Sequence, residues 1–510
     1  MSPGARPRTR WLLAALAAAA VALPFLVVDF PPLADLPQHA AQVRLLGEAL
    51  GRGGEVPGEE ASLYRVQWAT PYSLVYVLFG AGRLLAGLAG AGSVTAGPVL
   101  GARLAMLLVA LAWVAAIHGL AQRRGRSAAA AMVASVLVFH HALGWGFASF
   151  LVGWPVFVAW FLRVERDPAP PGRRGREALA LFALAVLLYL AHALWWAAGL
   201  LWLGLDGLRR RRQWRALWPR AVAVAPVVAV AALWFLRLSA TSFSTPPLWI
   251  APAQRLDPGW WVEAAFGLLK GGAETLAFAV LLAWLLLAAW GSRRRLREST
   301  DLRLALLAAL FVGCALLLPD KFTNTIEFNT RWLSPGLAVL LLAAPPLRVP
   351  AGLRRGGAAL VVAGYCLVVA VVWQRVERVE LSGLPQALGA LPDAPRVLGL
   401  DLLRESRWLD NRPFLQTFAW SQVVAGGTLN FSFADFPPSL VVYDPPRDAP
   451  WTGGLEWFPE RLRDGDLAHF DHLVVGAPPG VHARLAQRDR LEARTRAGLW
   501  RLYAVRSGPP

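Results

Sequence analysis

The chain has 510 residues, 56% of them hydrophobic and only 16% charged, with a mean hydropathy of +0.45 and a formal net charge of +18. A soluble domain carries about 25% charged residues, so this composition excludes an ordinary soluble enzyme and indicates a polytopic membrane protein. The charge does not indicate nucleic acid: it is almost all Arg, with Lys270 and Lys321 the only lysines, and it falls in short runs between apolar segments, as in cytoplasmic loops. The 24 Trp fit interfacial belts better than base stacking. Two cysteines, Cys314 and Cys366, both inside apolar segments, suggest no disulfide framework and no Cys-based metal site.

In chain order, the opening "RPRTRWLLAALAAAAVALPF" has the make-up of a signal peptide, but a retained first helix at about 11–28, running outward, suits a multispanning chain better. A long external loop follows, 29–98. Within it "PYSLVYVLFGAGRLLAGLAG" (71–90) has the composition of a span. If it crossed, every later Arg run would lie outside, so it is expected to be an interfacial or re-entrant helix on the outer leaflet. Spans are then expected at 99–120, 127–142 and 147–162. The stretch 178–208 is read as a short hairpin turning near His192, followed by spans at 221–239, 273–290, 303–318, 333–347 and 357–373. In this threading of about eleven spans, six inside segments (1–10, 121–126, 163–176, 209–220, 292–303 and 348–355) each hold three or more Arg. The tail, 375–510, is richer in Asp, Arg and Pro and has short β-like runs, "RVLGLDL", "SLVVYD", "HLVVGA" and "LWRLYAV". It reads as a small external α/β domain after a transmembrane domain of residues 1–374.

Chemistry concentrates where the first helix leaves the membrane, in "VVDFPPLADLPQHAAQ". Asp35-Leu36-Pro37-Gln38 has the form of an acid N-cap with Pro in the first turn and Gln at the capping-box position. Val43, Leu46 and Leu50 continue an apolar stripe at helical spacing. Asp35 is thus either a plain cap or a reactive acid at the end of a helix lying flat on the membrane. His39 stands one turn on, within reach of the same place or simply solvated at the interface. Asp29 sits at the end of the first helix, where a charge is ordinary.

The layout resembles the GT-C superfamily of membrane glycosyltransferases, of the protein O-mannosyltransferase and aminoarabinose-transferase type. A first helix runs out, then an acid opens a flat helix in a long external loop. "PYSLVYVLFGAGRLLAG" is similar to that group's "PPLYYLL…LFG" segment. "GARLAMLLVALAWVAAIHGLAQRRGRSAAAAMVASVLVF" is similar to its Arg-led second helix, basic turn and third helix. "NTRWLSPGLAVLLLAAPPL" is similar to its "RYLLP…P" entry into a late helix. The resemblance covers residues 11–350 and leaves the tail out. It implies a mainly α polytopic fold and places Asp35 as catalytic base, with Asp29 second and His39 beside it. The family often has a further acid in the next external loop. Here that loop reads "HHALGWGF", with His140 and His141 instead, which speaks against a metal bridged by two acids while leaving a divalent cofactor open.

The activity so implied is transfer of a sugar from a polyprenyl-phosphate donor to an envelope glycan, lipid or protein acceptor, among membrane lipids and on the external face of a bacterial inner membrane. A base at the membrane edge removes the acceptor's proton during attack on the anomeric carbon, and one such step inverts that centre. The leaving lipid phosphate calls for cations. Arg331 is the first candidate, with Lys321, Arg255, Arg237 and Lys270 also on the external side, although Arg331 pairing with Glu327 or Asp320 would be a purely structural use. A lipid-linked glycan transporter or a non-catalytic envelope scaffold are the competing readings. Against a transporter, the charges hug helix ends and no repeat is visible.

Overall fold

The computed structural model describes residues 7–51, 63–90, 96–241, 246–323 and 325–506. Apolar helices dominate. The first, Pro7–Leu26, buries Leu13, Ala17, Val21 and Phe25, one residue per turn, against the helix Ala351–Arg375, where Phe25 meets Trp373 edge-on at 5.0 Å. Among the described residues five helices are long and apolar enough to cross a membrane, six if the bent pair Arg293–Ser299 and Leu302–Leu317 counts as one span. Eleven spans were expected. The difference lies in short helices such as Ala148–Val164, at 17 residues, and Leu333–Ala343, at 11 residues. At 1.5 Å per residue these fall short of a hydrocarbon core of ~30 Å, and the second is buried along nearly its whole length by neighbouring helices. The expected span 127–142 is the helix Ala128–Ala134 with one tighter turn, Ser135–Val138.

The Arg-rich segments meet at one end of the bundle. Arg124 forks onto Asp301 at 2.8 and 2.9 Å, Arg303 reaches Glu165 at 2.6 Å, Arg210 reaches Asp167 at 2.6 Å, and Arg220 reaches Glu177 at 2.8 Å. The helices Arg174–Ala191 and Ala193–Arg209 both begin or end in this network, pack on each other, and are broken at an extended His192. His192 lies at the other end, edge-on to Tyr72 and Phe150. Residues 178–208 therefore form a hairpin that traverses the bundle twice.

The helix Val75–Leu88 has 14 residues, about 21 Å. It lies against Ala96–Arg123 so closely that a Cβ on Gly82 would stand 2.3 Å from the Gly101 carbonyl, while Val77, Leu84 and Leu88 face outward from the protein. It starts at the His192 end, where Leu74 N–H donates to the Leu190 carbonyl at 2.9 Å.

The tail forms a five-stranded sheet from β2 (Arg396–Asp401), β3 (Thr428–Leu429), β5 (His472–Gly476), β6 (Leu491–Ala493) and β7 (Trp500–Val505), in the order β3-β2-β5-β7-β6. Three expected β-runs lie in it. The fourth, "SLVVYD", instead gives β4 (Val441–Tyr443), which pairs antiparallel with β1 (Tyr64–Val66) of the first loop. The Trp expectation also needs correction. Trp113, Trp154, Trp160, Trp195 and Trp373 are fully buried in the bundle, whereas others, such as Trp11 and Trp290, are exposed. Both cysteines are free.

Candidate active site

The loop that carries Asp35 is pinned to the loop after His141. Ala34 N–H donates to the Gly144 carbonyl and Asp35 N–H to the Trp145 carbonyl, both at 3.0 Å. Gly146 makes this approach possible: its φ is +76°, and a Cβ there would stand 2.8 Å from the Asp35 nitrogen. From Leu36 the chain enters the helix Leu36–Ala49.

Asp35 does not cap that helix. Its backbone is already helical, at φ −89° and ψ −3°, and its side chain accepts no capping hydrogen bond. One N–H that a cap would take is missing, because the second helical residue is Pro37. Gln38, read as the capping-box partner, turns the other way. It donates to Gln416 Oε1 at 2.9 Å and accepts from Phe433 N–H at 3.0 Å, both in the tail. Among the described residues the Asp35 carboxylate forms no hydrogen bond and no ion pair, yet it is half-buried. Burial pushes its pKa up to about 7, against the opposing pull of the Arg331 charge.

Arg331 arrives from the far end of the bundle's sequence, on a tight turn, Thr330–Trp332, before Leu333–Ala343. Its side chain is buried and laid on the Phe147 ring, 3.8 Å from the centroid. Nε donates to the Glu327 carbonyl at 3.0 Å and Nη2 to the Ile326 carbonyl at 2.7 Å. Among the described residues Nη1 has no hydrogen-bond partner and no carboxylate is within ion-pairing distance. The structural pairing with Glu327 or Asp320 is therefore absent; Glu327 instead accepts from the Thr330 hydroxyl at 2.8 Å. Burial lowers the Arg331 pKa to about 10, with Glu327, Tyr72 and Asp35 opposing, so it stays cationic. Asp35, Arg331 and Tyr72 thus share one electrostatic neighbourhood, and burial raises the Tyr72 phenol.

The histidines close the walls. His39 Nδ1 meets the Tyr76 hydroxyl at 3.1 Å, its ring sits edge-on to Phe433, and burial lowers it to about 4, so it is neutral at pH 7. His141 Nε2 meets the Thr330 hydroxyl at 3.1 Å and is lowered to about 3 by burial and by Arg331. His140 is lowered by burial, by His141 and by Arg331, and its ring lies tilted against Trp113. Beyond His141 and Thr330 opens a cavity of about 910 Å³, walled also by Glu263, Glu327, Asp410 and Asn411. Both polar atoms of the Asn411 amide are buried there without partners. Among the described residues no three His, Cys, Asp or Glu side chains group to hold a metal ion.

Of the other expected site residues Lys270 lines that cavity, and the rest lie apart from it. Asp29 is an exposed carboxylate paired with Arg103 at 2.8 Å. Arg255 is buried and donates to the carbonyls of Leu316 and, at 2.7 Å, Leu318, closing the helix Leu302–Leu317. Lys321 joins a backbone bridge with Leu248, Arg237 is exposed on the helix Trp214–Thr241, and Lys270 donates to the Ser406 carbonyl at 2.9 Å. Tyr72, Tyr76 and Phe147 had not been singled out. The two tyrosines are four apart in "PYSLVY", a same-face spacing, which was the available signal.

No family model matches the sequence, and no curated protein does. Solved structures do. The crystal structure of ArnT from Cupriavidus metallidurans in the apo state matches with a TM-score of 0.51 at 16% identity, over 99% of this chain and 100% of that one. The structure of ArnT from the same organism bound to undecaprenyl phosphate matches with a TM-score of 0.53 at 16% identity, over 98% and 100%. The chain shares the fold of these ArnT structures along nearly its whole length, the tail included.

Proposed function

We propose that this GT-C fold carries an integral membrane glycosyltransferase that moves a sugar from a polyprenyl-phosphate donor to a cell-envelope acceptor. Asp35 acts as general base. Its carboxylate takes the proton of an acceptor hydroxyl or amine while that oxygen or nitrogen attacks the anomeric carbon. The bond from that carbon to the donor phosphate oxygen breaks, and the lipid phosphate leaves toward Arg331. One displacement inverts the anomeric centre. A carboxylate near pKa 7 is half ionised at neutral pH and basic enough to draw the proton.

The observation that carries this reading is a pairing: an acid and a buried guanidinium Nη1, each without a hydrogen-bond partner among the described residues, feel each other's charge. The solved ArnT complex with undecaprenyl phosphate supports a polyprenyl phosphate as the lipid. The Arg-rich end then lies in the cytoplasm, with the N-terminus, and the site and tail face the periplasm or exterior.

The test is release of polyprenyl phosphate by the purified full chain, supplied with polyprenyl-phosphate sugars and envelope lipid extract. Asp35→Asn should cut turnover by about 10²–10⁴-fold with an unfolding midpoint no lower than that of wild type. An Asp35→Asn protein that still turns over at the wild-type rate overturns the assignment.

A further inference from the structure

At the Arg-rich end, opposite Asp35, three separate segments enclose a cavity of about 440 Å³: the start of the first helix, the turn before Ala128, and the connection 344–355. Arg10, Arg126, Arg348, Arg354 and Arg355 line it, and no carboxylate does. Arg126 is occupied, since its guanidinium donates to the carbonyls of Leu342, Ala343, Ala344 and Ser299 at 2.7 to 3.2 Å. The other four form no ion pair among the described residues. Arg354 gives one N–H to the Leu347 carbonyl at 3.0 Å, and its Nε is buried without a partner. This contrasts with the neighbouring network, where Arg124, Arg210, Arg220 and Arg303 each hold a carboxylate. Like charges gathered in a partly desolvated pocket repel unless an anion joins them. Leu13, Leu347 and Val349 add an apolar wall to the same cavity.

We propose that this pocket binds the phosphate headgroup of an anionic membrane lipid. The guanidiniums hold the phosphate oxygens in fork geometry, and the apolar wall takes the first carbons of the acyl chains. A free phosphate shares the charge but not the need for that wall. The bound lipid ties the first helix to the turn before Ala128 and to the 344–355 connection, so it stabilises the bundle without entering the transfer reaction.

The test uses the full chain, delipidated in neutral detergent. Its unfolding midpoint is read against added cardiolipin, phosphatidylglycerol, phosphatidylcholine and inorganic phosphate. The two anionic lipids should raise the midpoint at concentrations where phosphatidylcholine and inorganic phosphate do not. The triple variant Arg348→Gln, Arg354→Gln, Arg355→Gln should bind the anionic lipids about tenfold or more weakly. A charge-matched control, Arg294→Gln, Arg295→Gln, Arg297→Gln, alters exposed arginines at the same end and should respond as wild type. Equal loss in the control shows a diffuse surface effect and overturns the site. Equal protection by inorganic phosphate overturns the lipid assignment. Should the pocket triple fail to fold, lipid retained by wild type and control in native mass spectrometry, and lost from the single variant Arg355→Gln, decides the matter; retention by Arg355→Gln counts against it.

Discussion

Gln42 and Val441 are joined by two opposed hydrogen bonds: the Gln42 amide donates to the Val441 carbonyl at 3.0 Å and accepts from its N–H at 2.8 Å. A side chain on the helix that follows Asp35 thereby takes the place of a strand beside β4. With Gln38 bonded to Gln416 and Phe433, this latches the helix Leu36–Ala49 to the tail. Gln42→Leu leaves both Val441 backbone groups buried and unpaired, at a cost of about 1–3 kcal/mol each. The expected outcome is a lower unfolding midpoint and reduced turnover, with Gln38→Leu adding to both. Thermal unfolding and single-turnover rates check it.

The pH dependence of transfer should follow Asp35. The carboxylate is the reactive form, so the rate should rise with pH through about 7 and level above it. Stability runs the other way. The folded pKa of about 7 lies above the ordinary aspartate value of 3.8, so the contribution is fully present below the unfolded value and is lost as pH rises through about 7. Asp35→Asn should therefore be inactive yet melt higher than wild type at pH 8, with the gap closing toward pH 4. Calorimetry across that range tests the crossover.

Arg331→Met should remove the countercharge while keeping bulk on Phe147. Donor affinity and rate should both fall, with kcat/KM down by about 10²–10³-fold. The residual rate should need a higher pH, because Arg331 lowers the Asp35 pKa. A pH profile that keeps its midpoint would show that the two groups do not sense each other.

Gly146→Ala places a methyl 2.8 Å from the Asp35 nitrogen at a φ of +76°. The Asp35 N–H to Trp145 bond must stretch or break, and the strained backbone costs about 1–3 kcal/mol. Turnover should fall more than the midpoint does, while Gly80→Ala, where a Cβ meets nothing, should leave both unchanged.

Topology was largely legible, because Arg is expensive inside a bilayer and so marks the ends of spans. The break at His192 followed from that rule: about thirty apolar residues between two Arg runs were read as a hairpin, and they form two helices that meet there. The number of spans was less legible, since helices buried by neighbours, such as Leu333–Ala343, are exempt from the length that lipid imposes. At the site, Asp35 and Arg331 were singled out by position and meet in one neighbourhood. The capping pattern misled because Gln38 had a stronger offer from residues almost four hundred positions away. Nothing local announces such a partner, and the same holds for β4, whose hydrophobic run looks like any other strand of the tail.

The pairing of β1 with β4 sets an order on biogenesis. Among the described residues the last helix long and apolar enough to cross a membrane ends at Glu380, so the bundle can be inserted while the ribosome has yet to make Tyr443. Until that point β1 has no edge to join, and the helix Leu36–Ala49 lacks its partners Gln416, Phe433 and Val441 in the tail. The helix that follows Asp35 is therefore latched only after the tail has been made.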